Sequence, residues 1–188
     1  MTKSSRHPNM LDVSDTVLLV IDVQERFRSV QKSFDTMLAG CVKLVKTFRA
    51  LDLPIIVTEQ YPKGLGKTVE ELTEVLGSIQ PLPKTVFSSY GCAGVPEQIE
   101  SSKARKVLVC GIETHVCVNQ TVHDLLAAGY RVQVAVDAVE SRHTMDRELA
   151  LRRMEAAGAV LTSTEAAAFE LMVDAKHAKF REVQALYI

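Results

Sequence analysis

The chain has 188 residues, of which 47% are hydrophobic and 24% charged, and its formal net charge is −1. This length and composition predict a single globular domain over residues 1–188 with a substantial core. The balanced charge gives no bulk electrostatic attraction to nucleic acid or to an anionic membrane. No apolar run approaches the roughly 20 residues that a membrane-spanning helix needs. We therefore expect neither nucleic acid nor membrane as a partner.

The N-terminal residues and the cysteines indicate the compartment. Residues 1–12 are polar and lack the apolar middle of a signal peptide, so they are predicted to form a flexible tail. The four cysteines form no CxxC pair, and a domain of this size does not need disulfides. A reducing compartment, the cytoplasm, is therefore expected. Cys41 and Cys110 lie inside apolar segments and are interpreted as small buried hydrophobic residues.

Apolar runs and helical periodicities alternate along the chain. Residues 16–21 (TVLLVI) form a continuous apolar run that is typical of a strand buried on both faces. Thr68 and Glu71 form a capping-box pattern at the start of a later helix. Strands are predicted at residues 16–21, 55–58, 84–87, 106–110, 131–136 and 159–162. Helices are predicted at about residues 34–51, 68–76, 95–101, 115–129, 144–157, 165–171 and 176–186. This alternation favours right-handed crossovers and a parallel sheet with helices on both faces, which is an α/β fold.

Side chains capable of chemistry fall near the predicted strand ends. Asp22, Glu59 and Asp137 end the first, second and fifth strands, and Cys117 follows the fourth by one turn. Lys84 opens the short third strand. Ligands of an open parallel sheet bind beyond the carboxyl ends of its strands. In a doubly wound sheet the first and fourth strands flank the switch point, so we expect Asp22 and Cys117 to meet there.

Cys117 is the candidate nucleophile. A free thiol has a pKa of about 8.5, which a helix N-terminus or a nearby cation lowers. The pattern places Cys117 at the third position of a helix capped by Thr114, with Lys84 as the cation, so a lowered pKa is expected. Asp22 could accept the thiol proton and later return it or activate water. Backbone N–H groups in the turn at Glu113 could bind an oxyanion.

Each of these residues also has a structural interpretation. Cys117 alone is more often a buried helical cysteine, Asp22 and Asp137 can cap turns or helices, and Lys84 alone is an ordinary surface lysine. Glu59 is most simply a solvated loop charge.

Metal and nucleotide sites are disfavoured. His115 and His123 are eight residues apart, farther than the i, i+4 spacing of a helical ligand pair. A zinc site needs three or four convergent ligands, and no GxGxxG or P-loop pattern occurs. No metal and no cofactor are predicted.

Four segments, in the same order along the chain, resemble motifs of the isochorismatase-like cysteine hydrolase family. They are VIDVQERF at residues 20–27, PKTVFS at 83–88, GIETHVCV at 111–118 and DAVESR at 137–142. They resemble the family's D-x-Q-x-x-F signature, its lysine segment, its nucleophile turn and the stretch after its fifth strand. TEQYPKGLG at residues 58–66 is most similar to the isochorismatase domain-containing subgroup. The resemblance extends from residue 16 to about residue 168.

The resemblance implies a three-layer α/β/α fold with a six-stranded, mostly parallel, doubly wound sheet. It implies a catalytic triad of Asp22, Lys84 and Cys117. It also implies a cis peptide bond between Ile112 and Glu113, which directs the N–H groups of Glu113 and Cys117 at an oxyanion. A homo-oligomer and a small-molecule substrate are expected. The candidate substrate-binding residues are Gln24, Phe27, Glu59, Tyr61, Tyr90 and His115.

Two departures from the family bear on the reaction. The nicotinamidases of the family bind a metal through an Asp-x-His and a further His after the second strand, whereas residues 59–61 here are Glu-Gln-Tyr and no His lies between His7 and His115. A metal-independent enzyme is therefore expected. Isochorismatases proper have no cysteine at the nucleophile position. Cys117 thus favours cleavage of a C–N bond in a small amide or imide through a thioester.

Other functions on the same fold stay open from the sequence. A thiol-redox protein or sensor would need a resolving thiol, for which Cys92 and Cys110 are the candidates. A non-catalytic binding or scaffold subunit would carry a vestigial pocket. The apolar C-terminal residues 180–188 form either an interface or an intramolecular contact.

Overall fold

The computed structural model describes residues 6–188, which form a six-stranded parallel sheet with helices on both faces. The strand order is β3-β2-β1-β4-β5-β6. The strands are β1 (Thr16–Ile21), β2 (Ile55–Gln60), β3 (Leu82–Lys84), β4 (Lys106–Ile112), β5 (Arg131–Glu140) and β6 (Val160–Thr162). The predicted α/β fold is confirmed, and β1 and β4 are neighbours at the centre of the sheet.

Helices cover the two faces of the sheet and enclose two apolar cores. The helices are α1 (Glu25–Arg28), α2 (Phe34–Ala50), α3 (Pro62–Leu65), α4 (Glu70–Leu76), α5 (Val95–Ser101), α6 (Asn119–Ala127), α7 (Thr144–Ala156), α8 (Thr164–Met172) and α9 (Phe180–Gln184). One core lies between the sheet and helices α2, α4 and α8, and the other between the sheet and α5, α6 and α7. Successive residues of β1 enter opposite cores, as a strand buried on both faces requires. Among residues 6–188, no helix combines the length and apolarity that a membrane crossing demands.

Several element boundaries differ from the predictions, and three of these differences are the largest or lie at the candidate site. The third strand was predicted to begin at Lys84, but β3 ends at Lys84, which pairs with Gln60, the last residue of β2. The fifth strand continues past Asp137 to Glu140 through a bulge opposite β4. The last helix was predicted over about residues 176–186, but α9 comprises only Phe180–Gln184.

The capping-box pattern is used for tertiary contacts. Helix α4 begins at Glu70, and the Thr68 hydroxyl donates to Glu59 at 2.7 Å. Glu71 accepts a hydrogen bond from Arg28 at 2.8 Å. Both side chains thus bind partners outside the helix.

The predicted flexible tail is wrong for residues 6–12, and residues 1–5 lie outside the described part of the chain. Leu11 is fully buried, and its N–H donates to the Glu170 carboxylate at 2.9 Å. The Arg6 guanidinium donates to the carbonyl oxygens of Leu11 and Glu170 at 2.7 and 2.9 Å. A single apolar side chain therefore anchors a polar segment.

The apolar C-terminal residues pack within the chain. Val183 is buried beside Ala168 and Met172 of α8. The Tyr187 hydroxyl donates to the carbonyl oxygen of Thr164 at 3.2 Å, and burial raises the pKa of Tyr187 to about 12. Of the two interpretations of this segment, the structure has the intramolecular one.

Gly111 sets the close approach of β4 to β1. Its φ is +111°, and a Cβ there would lie 2.1 Å from the carbonyl oxygen of Ile21. We expect Gly111→Ala to destabilise the fold more than Gly129→Ala, because Gly129 has a φ of +88° but a Cβ there would have no described atom within 4 Å. The positive φ costs each variant about 1–2 kcal/mol, and overpacking adds about 1–3 kcal/mol at Gly111. Urea denaturation measures both; equal losses would show that the clash relaxes freely.

Candidate active site

Asp22, Lys84 and Cys117 come together beyond the carboxyl ends of β1, β3 and β4. The Lys84 Nζ donates to Asp22 Oδ2 at 2.7 Å and lies 3.6 Å from the sulfur of Cys117. Asp22 follows β1 with a φ of 55°, a left-handed conformation that Asp tolerates better than most residues. Asp22 is 1% exposed, the Lys84 side chain 0% and Cys117 6%. The three groups thus form one cluster shielded from bulk water.

The Lys84 ammonium is fixed by further oxygen atoms. It donates to Gln60 Oε1 at 2.7 Å and lies 3.0 and 3.2 Å from the carbonyl oxygens of Phe87 and Val86. The Thr58 hydroxyl donates to the second oxygen of Asp22 at 2.7 Å. Sequence reasoning missed Thr58 and Gln60. Their position at the end of β2, beside the ends of β1 and β3, was the available signal.

Burial controls the ionisation of the cluster. Burial raises the pKa of Asp22, although the Lys84 charge and hydrogen bonds from Lys84 and Thr58 oppose it. Burial and the Asp22 charge raise the pKa of Cys117 to about 12, against the opposing effect of Lys84. The predicted lowering of the thiol pKa is therefore wrong. The arrangement favours a neutral thiol beside an Asp–Lys ion pair, and a raised pKa makes Asp22 a stronger base toward the thiol proton.

The turn that carries Cys117 has an unusual backbone. The peptide bond between Ile112 and Glu113 is cis, as the resemblance implies. Thr114–Val118 then form one π-helical turn, closed by the Val118 N–H donating to the Glu113 carbonyl oxygen at 3.2 Å. Cys117 thus lies within a π turn, and the predicted cap at Thr114 is wrong: within residues 6–188 its buried hydroxyl has no partner. Single π turns are frequent at functional sites.

Two of the predicted substrate-binding residues hold the backbone around the site. Gln24 is fully buried; its amide nitrogen donates to the Gln60 carbonyl oxygen at 3.0 Å and its amide oxygen accepts the Gln60 N–H at 2.8 Å. Glu59 accepts the Thr68 N–H at 2.6 Å in addition to the Thr68 hydroxyl. Both side chains are already occupied by the protein, which favours a structural role for them.

The other four residues are spread over different surroundings. Phe27 packs against the core on the α2 side of the sheet, and Tyr90 packs edge-on against Tyr130 with 6.0 Å between ring centroids. His115 Nδ1 lies 3.0 Å from the hydroxyl of Ser141. Tyr61 is exposed. Substrate contact stays a prediction for all four.

A cavity of about 460 Å³ lies beside β3 and is lined by Tyr61, Lys63, Val86 and Cys92, among others. Only the main chain of Lys84 lines this cavity, because Lys84 as a whole is 5% exposed whereas its side chain is 0% exposed. The cavity is thus separate from the charged cluster. Across residues 6–188, no three or more His, Cys, Asp or Glu side chains are grouped to hold a metal ion.

Comparison with known proteins identifies the family. Residues 16–166 match the isochorismatase domain. Isochorismatase domain-containing protein 2 of Xenopus laevis is 40% identical over 184 residues, covering 97% of this chain and 88% of that protein. Isochorismatase domain-containing protein 1 of Salmo salar is 41% identical over 169 residues, but this chain, 90% covered, spans only 59% of that protein. The structure of MAR1 ribonuclease from Caenorhabditis elegans is 43% identical with a TM-score of 0.89, covering 94% of this chain and 91% of that one. The chain therefore belongs to the isochorismatase family.

Proposed function

We propose that this chain is a hydrolase that cleaves the C–N bond of a small amide or imide through a thioester on Cys117. The observation that carries the proposal is the buried cluster in which one lysine ammonium lies 2.7 Å from a carboxylate and 3.6 Å from a thiol sulfur. A nucleophile, a base and a fixed cation within hydrogen-bonding reach are the parts that acyl transfer requires.

The reaction begins with a neutral thiol. Asp22 takes the proton of Cys117 as the sulfur attacks the carbonyl carbon, and the N–H groups of Glu113 and Cys117 donate to the oxyanion. Lys84 holds the carboxylate in place and stabilises the thiolate. When the C–N bond breaks, Asp22 returns the proton to the leaving nitrogen. Asp22 then deprotonates the water that hydrolyses the thioester and restores the thiol.

The arrangement of the cysteines disfavours a redox pair between Cys110 and Cys117. Cys110 enters the core on the α2 side of the sheet, whereas Cys117 faces the opposite core, so these two thiols cannot meet without unfolding. Cys92 shares the core of Cys117 and is the remaining candidate for a resolving thiol.

A non-catalytic binding subunit would have no need of three interacting charged and nucleophilic groups. The expected homo-oligomer in the cytoplasm is part of the proposal.

The nematode relative is named a ribonuclease, so RNA is included among the substrates to be tested. A net charge of −1 and a cysteine that is 6% exposed favour a small neutral substrate over a polyanion.

Intact-protein mass spectrometry tests the proposal directly. The protein is incubated with a panel of small amides, imides and an activated ester, and with RNA, as wild type, Cys117→Ala and Cys92→Ala. We expect an acyl adduct on the wild type and Cys92→Ala but none on Cys117→Ala, which should also lose turnover. Full amide turnover by Cys117→Ala would disprove the thioester. A disulfide between Cys117 and Cys92 after mild peroxide, without an acyl adduct, would favour the redox function.

A further inference from the structure

The DAVESR segment at residues 137–142 reaches the nucleophile turn because of the bulge in β5. Val109 pairs with Val134, but Gly111 already pairs with Val139, so β5 has extra residues between these pairs. The Asp137 carboxylate in the bulge accepts the Thr164 N–H and hydroxyl at 2.8 and 2.7 Å, which ties the bulge to the start of α8. The extra residues shift the register, so that Val139 and Glu140 lie beside Gly111 and Ile112 at the end of β4.

Two residues of this segment contact the nucleophile turn at Glu113 and His115, the positions on either side of Thr114. The main-chain N–H and the Nε–H of Arg142 both donate to Glu113 Oε1, at 3.2 and 3.0 Å. Glu113 is only 7% exposed, so its carboxylate depends on this partner. The Ser141 hydroxyl lies 3.0 Å from Nδ1 of His115, two residues before Cys117.

We propose that Ser141 and Arg142 are positioning residues that hold the nucleophile turn in the conformation needed for acyl transfer; this inference rests on the proposed function. Glu113 has two tasks in that mechanism. Its N–H faces the oxyanion, and its carboxylate fixes the residue to Arg142. Without the Arg142 guanidinium the buried carboxylate loses its charged partner and keeps only the main-chain N–H of residue 142, so Glu113 rotates toward water and its N–H moves with it. A displacement of about 1 Å at such a donor slows a reaction by about 10²-fold.

Two chemical probes separate this role from a general structural one. With p-nitrophenyl acetate, the sulfur of Cys117 bonds to the carbonyl carbon, an oxyanion forms, and p-nitrophenolate leaves with the C–O electron pair. With iodoacetamide, the sulfur bonds to the CH₂ carbon and iodide leaves without any oxyanion. Both rates are measured at Cys117 by mass spectrometry. Acylation requires the positioned turn and alkylation does not.

We expect Arg142→Ala to slow acylation by about 10–100-fold while changing alkylation by less than about threefold. Arg142→Lys, which keeps a cation near Glu113, should recover most of the acylation rate. Arg152→Ala is the matched control, since Arg152 is an exposed α7 arginine with a long 3.8 Å contact to Glu148, and it should match the wild type with both probes. If Arg142→Ala does not fold, Ser141→Ala provides the same comparison with a smaller expected effect.

Equal slowing of both reactions by Arg142→Ala, or unchanged acylation, would overturn the positioning role. If the wild type is acylated at Cys117 and Arg142→Ala matches it, only the positioning role fails. If Cys117 of the wild type takes neither probe, the proposed function fails and the positioning role fails with it.

Discussion

Asp22→Asn is expected to slow amide hydrolysis by about 10²–10⁴-fold and at the same time to make Cys117 easier to alkylate. The carboxylate is the base and acid of the proposed cycle, so its loss removes proton transfer to the leaving nitrogen. Its charge, however, also raises the pKa of Cys117, which burial and Asp22 together bring to about 12. Without that charge, only burial opposes the thiolate, and the Lys84 ammonium 3.6 Å from the sulfur stabilises it.

The pH dependence of alkylation gives the sign of this effect. Below its pKa the thiolate fraction rises tenfold per pH unit, so the wild-type iodoacetamide rate should still be rising at pH 11. In Asp22→Asn the midpoint should fall to lower pH. Asp15→Asn is a matched control, because Asp15 pairs with Lys106 at 2.8 Å at the amino ends of β1 and β4, away from the site. An unchanged midpoint, or retained amide hydrolysis, would remove Asp22 from the mechanism.

The meeting of Asp22 and Cys117 was predictable because parallel strands place their carboxyl ends on one side of the sheet, whereas Lys84 was joined to them through the resemblance to the family. A continuous apolar run identifies β1 and β4, and in a doubly wound sheet the first and fourth strands flank the switch point. The end of β3 was not predictable in the same way, because three residues are too few to show a pattern. The direction of the thiol pKa shift was wrong because burial is a property of the whole fold and outweighed the local helix terminus.

The substrate-binding predictions show a related limit. Gln24 and Glu59 lie near the carboxyl ends of β1 and β2, as predicted, but their side chains bind backbone N–H and C=O groups of the neighbouring segments. A motif fixes the position of a residue along the chain and not the direction of its side chain. Likewise, Ser141 and Arg142 were visible as part of a motif, yet their partners depend on a bulge that has no clear mark in the sequence.

Lys84→Met is expected to abolish amide hydrolysis and to destabilise the fold by about 3–5 kcal/mol, the usual effect of removing one partner of a buried ion pair. It leaves the carboxylate of Asp22, which is 1% exposed, with two uncharged partners, the Thr58 hydroxyl and the Cys117 thiol. Lys106→Met is the matched control, because the Lys106 and Asp15 side chains are 9% and 25% exposed and can recruit water. Urea denaturation of both variants at pH 7 measures the difference.

The stability of Lys84→Met should also depend on pH in a defined direction. Burial already raises the pKa of Asp22, and loss of the lysine raises it further. Between the ordinary aspartate pKa and this raised value, the folded state therefore holds a proton that the unfolded state has released. Stability should therefore increase as the pH falls toward the ordinary aspartate pKa of about 3.9. Adding Asp22→Asn should restore part of the stability without restoring hydrolysis. Equal losses for the two lysine variants would mean that the fully buried pair stabilises no more than the more accessible Lys106–Asp15 pair, and Lys84 would then serve the chemistry alone.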